Sequence, residues 1–600
     1  MLDPDRRSLY TSLLTPPPGF VLDQALGTTF SLDISTLLML PVHLSLLGAE
    51  ELEDGIAVYE SVRRTMDRIT LYVQRGRIQA PRQGNTLFGL LAPSMIEVEP
   101  RTTGVFHPKL WLLRFRPGEG LDARPVLRLA VLSRNVTDDR SWDLSLQLEG
   151  EVDPKTNSPL NQPLADLIRN LPSLASGQMP ASCTEQAESL TTDLLHCAFA
   201  LPEGVESMEF AVLGMGTEVW KRPRRSDRLA VISPFCGEKA LAALARSTRE
   251  PVVLISRPET LDQLSRATLQ QFSSCRVLHE AAETEDSDDD ISQDRYGLHA
   301  KAWITERGAR TAITLGSANA TDAALVSQIN VELMVTLEGP RRQLGDISSL
   351  LGEDGFGAVL QPHEAGVVAL TLDPLVEAAK DRLDRARKAI MRAELRASCQ
   401  PAATQGQWHL LLHGMADLPA TVQVRLWPVS LSSAGGVTWA PDAMTAESLL
   451  AEVGPAHLTG VIAFELSDAG AAEGLRFVLN LPVDGMPVEA REAAILRAII
   501  QNRDGFLRYL LLLLAREEGG GTMFALPTGT GSGRWAGGFD GDLPLLEEMT
   551  RCYSRSPERL DAIARMIARL RSSADAQDVI PQEFDTIWSV FEQALESRHG

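Results

Sequence analysis

The chain has 600 residues, a formal net charge of −22 at neutral pH and a hydrophobic content of 44%. This length predicts about three to five domains. The negative charge excludes nucleic-acid binding over the whole surface, although a local positive site remains compatible with it.

The chain has the composition of a cytoplasmic protein. Its six cysteines show no CxxC and no metal-ligand spacing, which predicts reduced thiols. The first residues lack the basic and apolar regions of a signal peptide. The longest apolar run, Tyr509–Ala515, is far shorter than the roughly 20 residues that span a membrane. We therefore expect a cytoplasmic protein with no membrane partner.

An apolar segment and a basic segment precede the first motif. Phe30–Leu47 predicts a strand followed by a helix that Pro41 interrupts or ends, and His43 within it is interpreted as a core histidine. The basic segment is either a solvated helix face or one wall of a nucleic-acid groove. Its members are Arg63, Arg64, Arg68, Arg75, Arg77 and Arg82.

The first motif combines a histidine, a lysine and a polar tail. The sequence VFHPKLWLL (Val105–Leu113) predicts a strand whose alternation places His107 and Lys109 on one face. A second predicted strand leads into SRNVTD, which contains Ser133 and Asn135. Two adjacent strands would therefore bring these four side chains to one end of a sheet.

The middle of the chain alternates between strands and helices. Ser182–Leu201 predicts a helical connector, and buried strands at Leu229–Phe235 and Val252–Ser256 flank a helix at Glu238–Ala245. This alternation indicates an α/β fold with a largely parallel or mixed sheet.

A dense acidic loop follows this α/β segment. It is interpreted either as a disordered, solvated insertion or as a phosphate mimic that occupies the site until substrate displaces it. Its residues are Glu283, Glu285, Asp286, Asp288, Asp289 and Asp290.

The segment Tyr296–Leu325 repeats the first motif. HAKAW corresponds to HPKLW and SANATD to SRNVTD, so the repeated residues are His299, Lys301, Ser317 and Asn319. The repetition predicts duplicated halves that face each other. Such side chains suit a phosphate. Lysine neutralises it, serine and asparagine donate to its oxygens, and histidine attacks phosphorus or moves a proton.

The two motifs resemble the signature of the phospholipase D superfamily, HxK followed by Asp and GSxN, which usually occurs twice. The resemblance covers Phe30–Thr336. The chain departs from it at Arg114 and Glu306, which stand where the family has Asp. It also has Leu132 in place of the Gly before Ser133.

The resemblance implies a role for an acid downstream of each SxN tail. Such an acid hydrogen-bonds the histidine of the opposite half, which gives Glu332 as the partner of His107. It also gives Asp143 as the partner of His299, with Glu149 as a competitor for that role. No metal and no cofactor is expected, since two lysines supply the positive charge.

The last third of the chain carries no motif with recognisable chemistry. Pro374–Ala397 predicts a charged helix, and period-two runs over Trp408–Pro482 predict a small β-sandwich. From Val488 onward the apolar spacing is helical, and the stretch Gly519–Gly538 lacks GK[ST] and predicts a flexible loop. We expect these parts to bind a partner or the flanks of a substrate.

The predicted fold class is α/β, with two duplicated phospholipase D-like halves on mixed sheets, a small β-sandwich and a C-terminal helical region. The predicted divisions are 1–185 for the first half, 186–228 for a connector, 229–340 for the second half, 341–400 for linking helices, 401–486 for the β-sandwich-like domain and 487–600 for the C-terminal helical domain.

The predicted function is a metal-independent nuclease that cleaves DNA, or with less support RNA, through a phosphohistidine intermediate. The resemblance alone implies a prokaryotic restriction or anti-phage defence setting with a helicase partner. Two alternatives stay open, a lipid phosphodiesterase and a non-catalytic nucleic-acid-binding or scaffold subunit of a defence complex. The candidate catalytic residues are His107, Lys109, Asn135, His299, Lys301, Asn319, Ser133, Ser317, Glu332 and Asp143.

Overall fold

The fold is described from a computed structural model. It describes residues 10–44, 55–118, 120–139, 141–177, 179–215, 225–279, 297–363, 374–439, 447–471, 473–500, 503–514, 545–555, 557–571 and 579–599. The acidic loop Glu283–Asp290 and the stretch Gly519–Gly538 lie outside these residues. Within them, no helix is both long and apolar enough to cross a membrane.

Strands and helices alternate through the first two thirds of the described chain. The strands are β1 Phe20–Thr29, β2 Leu32–Asp33, β3 Ile69–Gln74, β4 Ile78–Gln79, β5 Met95–Val98, β6 Leu110–Pro117, β7 Val126–Leu132, β8 Ser145–Glu151, β9 Ser207–Leu213, β10 Ser226–Ile232, β11 Thr248–Ile255, β12 Ser274–Leu278, β13 Ala302–Arg307, β14 Arg310–Gly316, β15 Glu332–Pro340, β16 Leu360–Pro362, β17 Arg396–Pro401, β18 Trp408–His413, β19 Val422–Pro428, β20 Val437–Trp439, β21 Glu447–Val453, β22 Val461–Asp468, β23 Leu475–Asn480 and β24 Val483–Asp484. The helices are α1 Tyr10–Leu14, α2 Ile34–Leu44, α3 Gly55–Thr65, α4 Gln162–Asn170, α5 Ala181–Leu195, α6 Glu238–Ala245, α7 Pro258–Gln263, α8 Arg266–Leu269, α9 Arg341–Leu344, α10 Ile347–Leu350, α11 Pro374–Arg392, α12 Val488–Ile499, α13 Arg503–Leu514, α14 Leu545–Arg555, α15 Pro557–Arg571 and α16 Gln582–His599.

The first sheet has six strands in the order β5-β3-β1-β6-β7-β8. Its first three strands run parallel, and the other three continue the sheet antiparallel. Alternate residues of a strand face opposite sides of a sheet. Accordingly, Trp111 and Leu113 of β6 pack into one core, whereas Leu110 and Leu112 pack into another.

The second sheet repeats this arrangement. Its eight strands have the order β16-β12-β11-β10-β13-β14-β15-β9, and β10, β11 and β12 run parallel. The strands β13, β14 and β15 continue it antiparallel. The six neighbouring strands β12-β11-β10-β13-β14-β15 therefore have the same relative order and directions as the six strands of the first sheet.

The two sheets share one hydrophobic core with α4 and α5. Leu112 and Leu129 from the first sheet belong to the same cluster as Ile304 and Val335 from the second. Parallel bridges also link the halves directly, between Phe106 and Val331 and between Trp142 and Leu298. The ends of the two sheets that carry the motifs therefore meet.

The structure differs from the predicted division around the second half. Part of the predicted connector 186–228 forms β9, which pairs along its length with β15 and closes one edge of the second sheet. Within the predicted linking helices 341–400, β16 pairs with β12 at the other edge. A strand pairs where backbone groups would otherwise stay unsatisfied, and short local patterns did not reveal these edges. The helix predicted at Glu238–Ala245 is confirmed with the same bounds.

The region after α11 contains two sheets around one core. One has the order β21-β18-β17-β24, and the other has the order β2-β4-β23-β22-β19-β20. The second sheet is completed by β2 and β4, which come from the first half of the chain and lie outside the predicted range 401–486. The β region is therefore joined to the first half through a shared sheet.

The C-terminal helices pack on the first half. Phe506 and Trp588 belong to the hydrophobic cluster that also holds Trp111 of the first sheet. The hydroxyl of Tyr509 donates to the carboxylate of Glu60 at 2.6 Å, and Glu60 on α3 is fully buried. This buried contact fixes α13 against α3.

Gly316 ends β14 and directly precedes Ser317 of the second motif. The first motif has Leu132 at the corresponding position, before Ser133. Gly316 has φ +150°, and an added Cβ would lie 2.2 Å from the carbonyl oxygen of Leu333. We expect Gly316→Ala to lower the free energy of unfolding by about 2–4 kcal/mol. The matched control is Gly308→Ala, because Gly308 also has positive φ but meets nothing within 4 Å. Gly308→Ala should lower the free energy of unfolding by only about 1 kcal/mol. Calorimetric unfolding of both variants checks this, and equal shifts would contradict it.

Candidate active site

The two HxK segments precede their strands rather than lying within them. The strand β6 begins at Leu110 and β13 begins at Ala302, so the expected strand over Val105–Leu113 starts later than predicted. The reason is that the backbone here pairs with the opposite half. The amide of His107 donates to the carbonyl of Val331 at 2.9 Å.

The second HxK segment is held in the same way. The amides of His299 and Ala300 donate to the carbonyl of Trp142 at 2.9 and 2.8 Å. Each histidine therefore lies on the seam between the halves, next to the segment that follows the other half's SxN tail.

Each histidine has a carboxylate partner from the opposite half. Nδ1 of His107 lies 2.8 Å from Oε2 of Glu332, and Nδ1 of His299 lies 3.0 Å from Oδ1 of Asp143. These are the pairings that the resemblance implies. The competitor Glu149 instead accepts from Arg128 at 2.6 Å.

The two motif serines orient the carboxylates. Oγ of Ser133 donates to Oδ1 of Asp143 at 2.8 Å, and Oγ of Ser317 donates to Oε2 of Glu332 at 2.6 Å. Both hydroxyl hydrogens are thus used within the protein. The expected help from these serines in holding phosphoryl oxygens is not what this geometry provides.

The two lysines are buried between the histidines. Nζ of Lys109 donates to the carbonyl of His107 at 3.0 Å. Nζ of Lys301 donates to the carbonyls of His299 and Ser133 at 2.7 and 3.2 Å. An ammonium group has three donors. Among the described residues, these bonds occupy one donor of Lys109 and two of Lys301, so each ammonium group keeps at least one donor for a ligand oxygen.

Burial controls the charge of these lysines. It lowers the pKa of Lys109 well below its usual value, and the charge of Lys301 adds to this effect. Burial also lowers the pKa of Lys301, to about 8. Two ammonium groups close together and away from water favour a bound anion, because an anion restores the charged form of both.

The two asparagines have different surroundings. Oδ1 of Asn135 accepts from the amide of Ser31 at 3.4 Å. Oδ1 of Asn319 is buried and has no hydrogen-bond partner among the described residues. A buried polar atom without a partner is uncommon. This oxygen accepts hydrogen bonds, so a ligand would satisfy it only by donating a hydrogen to it.

Both histidines are neutral at neutral pH. Burial lowers the pKa of His107 to about 4, and together with the charges of Lys109 and Lys301 it outweighs the opposing effect of the Glu332 carboxylate. Burial and then the charge of Lys301 lower the pKa of His299 to about 4. In a neutral imidazole one nitrogen donates and the other accepts. With Nδ1–H donated to a carboxylate, Nε2 carries the free electron pair.

The two carboxylates are ionised despite their burial. Burial alone would raise the pKa of Asp143, but the hydrogen bond from His299 and the charge of Lys301 outweigh it and lower the pKa. The pKa of Glu332 is lowered in the same way, because the hydrogen bonds from His107 and Ser317 and the charge of Lys109 outweigh the effect of burial.

The basic segment does not form one surface. Arg63 and Arg64 pair with the buried Glu60, and Arg75 donates to the carbonyl of Ser176. Arg77 differs, because its guanidinium carbon lies 4.9 Å from the centroid of the Phe30 ring. Neither interpretation of the segment therefore holds for all its members, and Arg77 is the member that approaches the site.

One further side chain binds the backbone of the residue that precedes each histidine. The amide of Phe106 donates to Oε1 of Gln74 at 2.7 Å, and Nε of Arg257 donates to the carbonyl of Leu298 at 2.8 Å. No sequence motif contains either residue. The available signal was position, since Gln74 ends β3 and Arg257 follows the end of β11 by two residues.

The departures from the family signature lie in ion pairs away from the histidines. Arg114 pairs with Asp23 and Asp193, each at 2.6 Å. Glu306 is buried, accepts from the amide of Ile347 at 2.7 Å and lies 3.4 Å from Arg228. At corresponding positions, the first half therefore has a basic residue and the second half an acidic one. Each forms an ion pair with the neighbouring strand of its sheet, Arg114 with Asp23 on β1 and Glu306 with Arg228 on β10.

No family model and no curated protein match the sequence. Solved structures do match. Two mutants of yeast tyrosyl-DNA phosphodiesterase share 12% and 10% sequence identity with TM-scores of 0.35, cover 56% and 54% of this chain, and cover 86% and 84% of their own chains. Phosphatidylserine synthase of Haemophilus influenzae shares 12% identity with a TM-score of 0.31 over 64% of this chain and 91% of that chain.

The tautomers of the two histidines are open to direct measurement. We expect His107 and His299 to carry the proton on Nδ1 at neutral pH, because Nδ1 faces an ionised carboxylate. Nitrogen-15 NMR of histidine-labelled protein, assigned with His107→Gln and His299→Gln, reads this out. In Glu332→Gln the pKa of His107 should fall further and its tautomer preference should weaken, while His299 serves as the unchanged internal reference. A proton on Nε2 of both histidines in the unsubstituted protein would contradict the geometry.

Proposed function

We propose that this protein is a phosphodiesterase that acts on nucleic acid, with DNA as the preferred substrate, through a phosphohistidine intermediate. The observation that carries this proposal is the pair of buried neutral histidines, each bonded through Nδ1 to a carboxylate of the opposite half. Such an arrangement leaves two Nε2 atoms free beside two lysines.

In the first step, Nε2 of one histidine forms a bond to phosphorus and the bond to the leaving oxygen breaks. The other histidine, protonated at Nε2, gives its proton to that oxygen. The attacking ring becomes a phosphorylated imidazolium, and its carboxylate partner stabilises the positive charge. The two imidazoles therefore enter the reaction in different protonation states.

In the second step, water forms a bond to phosphorus and gives a proton to the histidine that acted as the acid. The bond between phosphorus and Nε2 breaks, and its electron pair returns to the imidazole. Both histidines then have their starting protonation states.

The positive charge for the reaction comes from the protein in this proposal. Lys109 and Lys301 have donors left for the phosphoryl oxygens, and they lie in a buried setting where electrostatic stabilisation is strong. The amides of Asn135 and Asn319 add hydrogen-bond donors. The serines Ser133 and Ser317 act through the carboxylates that they orient.

The choice of nucleic acid over lipid rests on aromatic and guanidinium side chains next to the histidines. Phe30 lies beside His107 and Arg77 lies beside Phe30, and such planar groups bind nucleobases. The catalytic part corresponds in this proposal to the ranges 1–185 and 229–340. The remaining ranges 186–228, 341–400, 401–486 and 487–600 hold that part together or contact other molecules. A cytoplasmic defence setting and a helicase partner stay part of the proposal through the family resemblance alone.

Removal of either histidine should abolish turnover. His107→Ala and His299→Ala should each lower kcat/KM at least about 10³-fold, because each histidine acts in both steps. EDTA should leave the rate unchanged, and one histidine should retain phosphorus from labelled substrate after acid-free quenching. The matched control is His409→Ala, since His409 lies on β18 and pairs with Glu452. Strict dependence on added Mg²⁺, or activity in both histidine variants, would overturn the proposal.

The rate should depend on pH in a defined direction. The reaction needs one neutral and one protonated imidazole, and the pKa of each histidine is about 4. We therefore expect kcat/KM, which reports the free protein, to peak at acidic pH and to fall as the pH rises. A bound phosphate anion raises the pKa of a histidine, so the maximum of kcat should lie at higher pH. Deprotonation of Lys301 should lower both above about pH 8. A kcat/KM that increases from pH 6 to 9 would contradict this assignment.

A further inference from the structure

An aromatic ring and an arginine lie beside the first histidine. The ring of Phe30 is partly buried, and its centroid lies 5.1 Å from that of His107 in an edge-to-face arrangement. The guanidinium carbon of Arg77 lies 4.9 Å from the Phe30 centroid. Nζ of Lys109 lies 5.9 Å from the same centroid, so the ring is within reach of a phosphate bound at this lysine.

A second pair lies beside the other histidine. Phe235 follows β10, its side chain is 46% exposed, and the guanidinium carbon of Arg257 lies 5.2 Å from its centroid. Nε of Arg257 is bonded to the carbonyl of Leu298, the residue before His299. An exposed aromatic ring at this place is unusual, because burial would normally stabilise it.

The two pairs lie at matching places in the two halves. Each phenylalanine lies just after the first strand of its half, next to that half's SxN tail. Oγ1 of Thr29 accepts from the amide of Val136 at 3.0 Å, and Oγ of Ser233 accepts from the amide of Ala320 at 2.9 Å. One pair therefore lies on the His107 side of the cluster and the other lies on the His299 side.

The arginines of these pairs are not used in ion pairs. Among the described residues, neither Arg77 nor Arg257 lies within 4.0 Å of a carboxylate oxygen, which leaves both charges available. Burial and then the charge of Arg387 lower the pKa of Arg77 to about 10.

We infer that Phe30 with Arg77 and Phe235 with Arg257 are two base-binding platforms, and that the site takes an internal phosphodiester of single-stranded nucleic acid with an unpaired base on each side. The inference rests on the proposed phosphodiesterase function. Bases stack on aromatic rings and on guanidinium planes. In a duplex the bases are already stacked on their neighbours, and both flanking bases would have to be extruded. In a single strand the bases are unpaired, so one base can bind each platform without the free-energy cost of extrusion from a duplex.

A dinucleoside monophosphate of thymidine tests the two platforms separately, because it has one phosphodiester and one base on each side. In the unsubstituted protein, replacing either base by hydrogen should lower kcat/KM about tenfold. In Phe30→Leu, removal of one of the two bases should leave kcat/KM almost unchanged from the value of this variant with the intact dinucleotide. In Phe235→Leu, removal of the other base should likewise leave kcat/KM almost unchanged. Phe30→Trp and Phe235→Trp should restore the tenfold cost, since tryptophan keeps the aromatic face. The control Leu449→Ala, at an exposed position on β21, should behave as the unsubstituted protein.

The controls separate the two levels of the proposal. If the unsubstituted protein hydrolyses neither the dinucleotide nor methyl 4-nitrophenyl phosphate, the proposed function fails. The inference alone fails if the unsubstituted protein hydrolyses both substrates but base removal leaves kcat/KM unchanged. It also fails if base removal lowers kcat/KM by the same factor in the leucine variants as in the unsubstituted protein.

A binding experiment tests strandedness without turnover. His299→Ala should bind a fluorescent single-stranded DNA at least about tenfold more tightly than the same sequence as a duplex. Vesicles of phosphatidylglycerol should not compete for this site. Tighter binding of the duplex, or vesicle competition that depends on Phe30 and Phe235, would overturn the assignment to single strands.

Discussion

Two hydrogen bonds that cross between the halves are the interactions on which the site depends. His107 takes its carboxylate from β15 of the second half, and His299 takes its carboxylate from the segment before β8 of the first half. A buried carboxylate without its partner costs several kcal/mol. Docking of the halves and formation of the site are therefore one event, and neither half alone could hold a histidine in the reactive tautomer.

The charges of the cluster explain why it suits an anion. Two carboxylates are ionised, both imidazoles are neutral, and burial lowers the pKa of both lysines. A phosphodiester that enters this setting stabilises the charged forms of the lysines and of one histidine. In the proposed reaction, phosphate binding and protonation of one histidine are therefore coupled.

The β region bears directly on the site, because it shares a sheet with the first half. Phe30 lies two residues before β2, and Arg77 lies directly before β4. These two short strands pair with each other, and β4 pairs with β23. Met391 at the end of α11 contacts the turn at Gly76, next to Arg77. The parts of the chain without chemistry of their own therefore position the platform on the His107 side.

The local pattern of the sequence was enough for the α/β class, the helix at Glu238–Ala245 and the set of polar residues in the two motifs, because periodicity and short spacings are properties of neighbouring residues. It could not give the hydrogen-bond partners, since Glu332 and His107 are 225 residues apart and Asp143 and His299 are 156 residues apart. Those pairings were expected from the family resemblance alone. Only the packed structure assigned Ser133 and Ser317 to the carboxylates and brought β2 and β4 into the sheet of the β region. These outcomes depend on which backbone and side-chain groups remain unsatisfied once the sheets have met, and no short stretch of sequence contains that information.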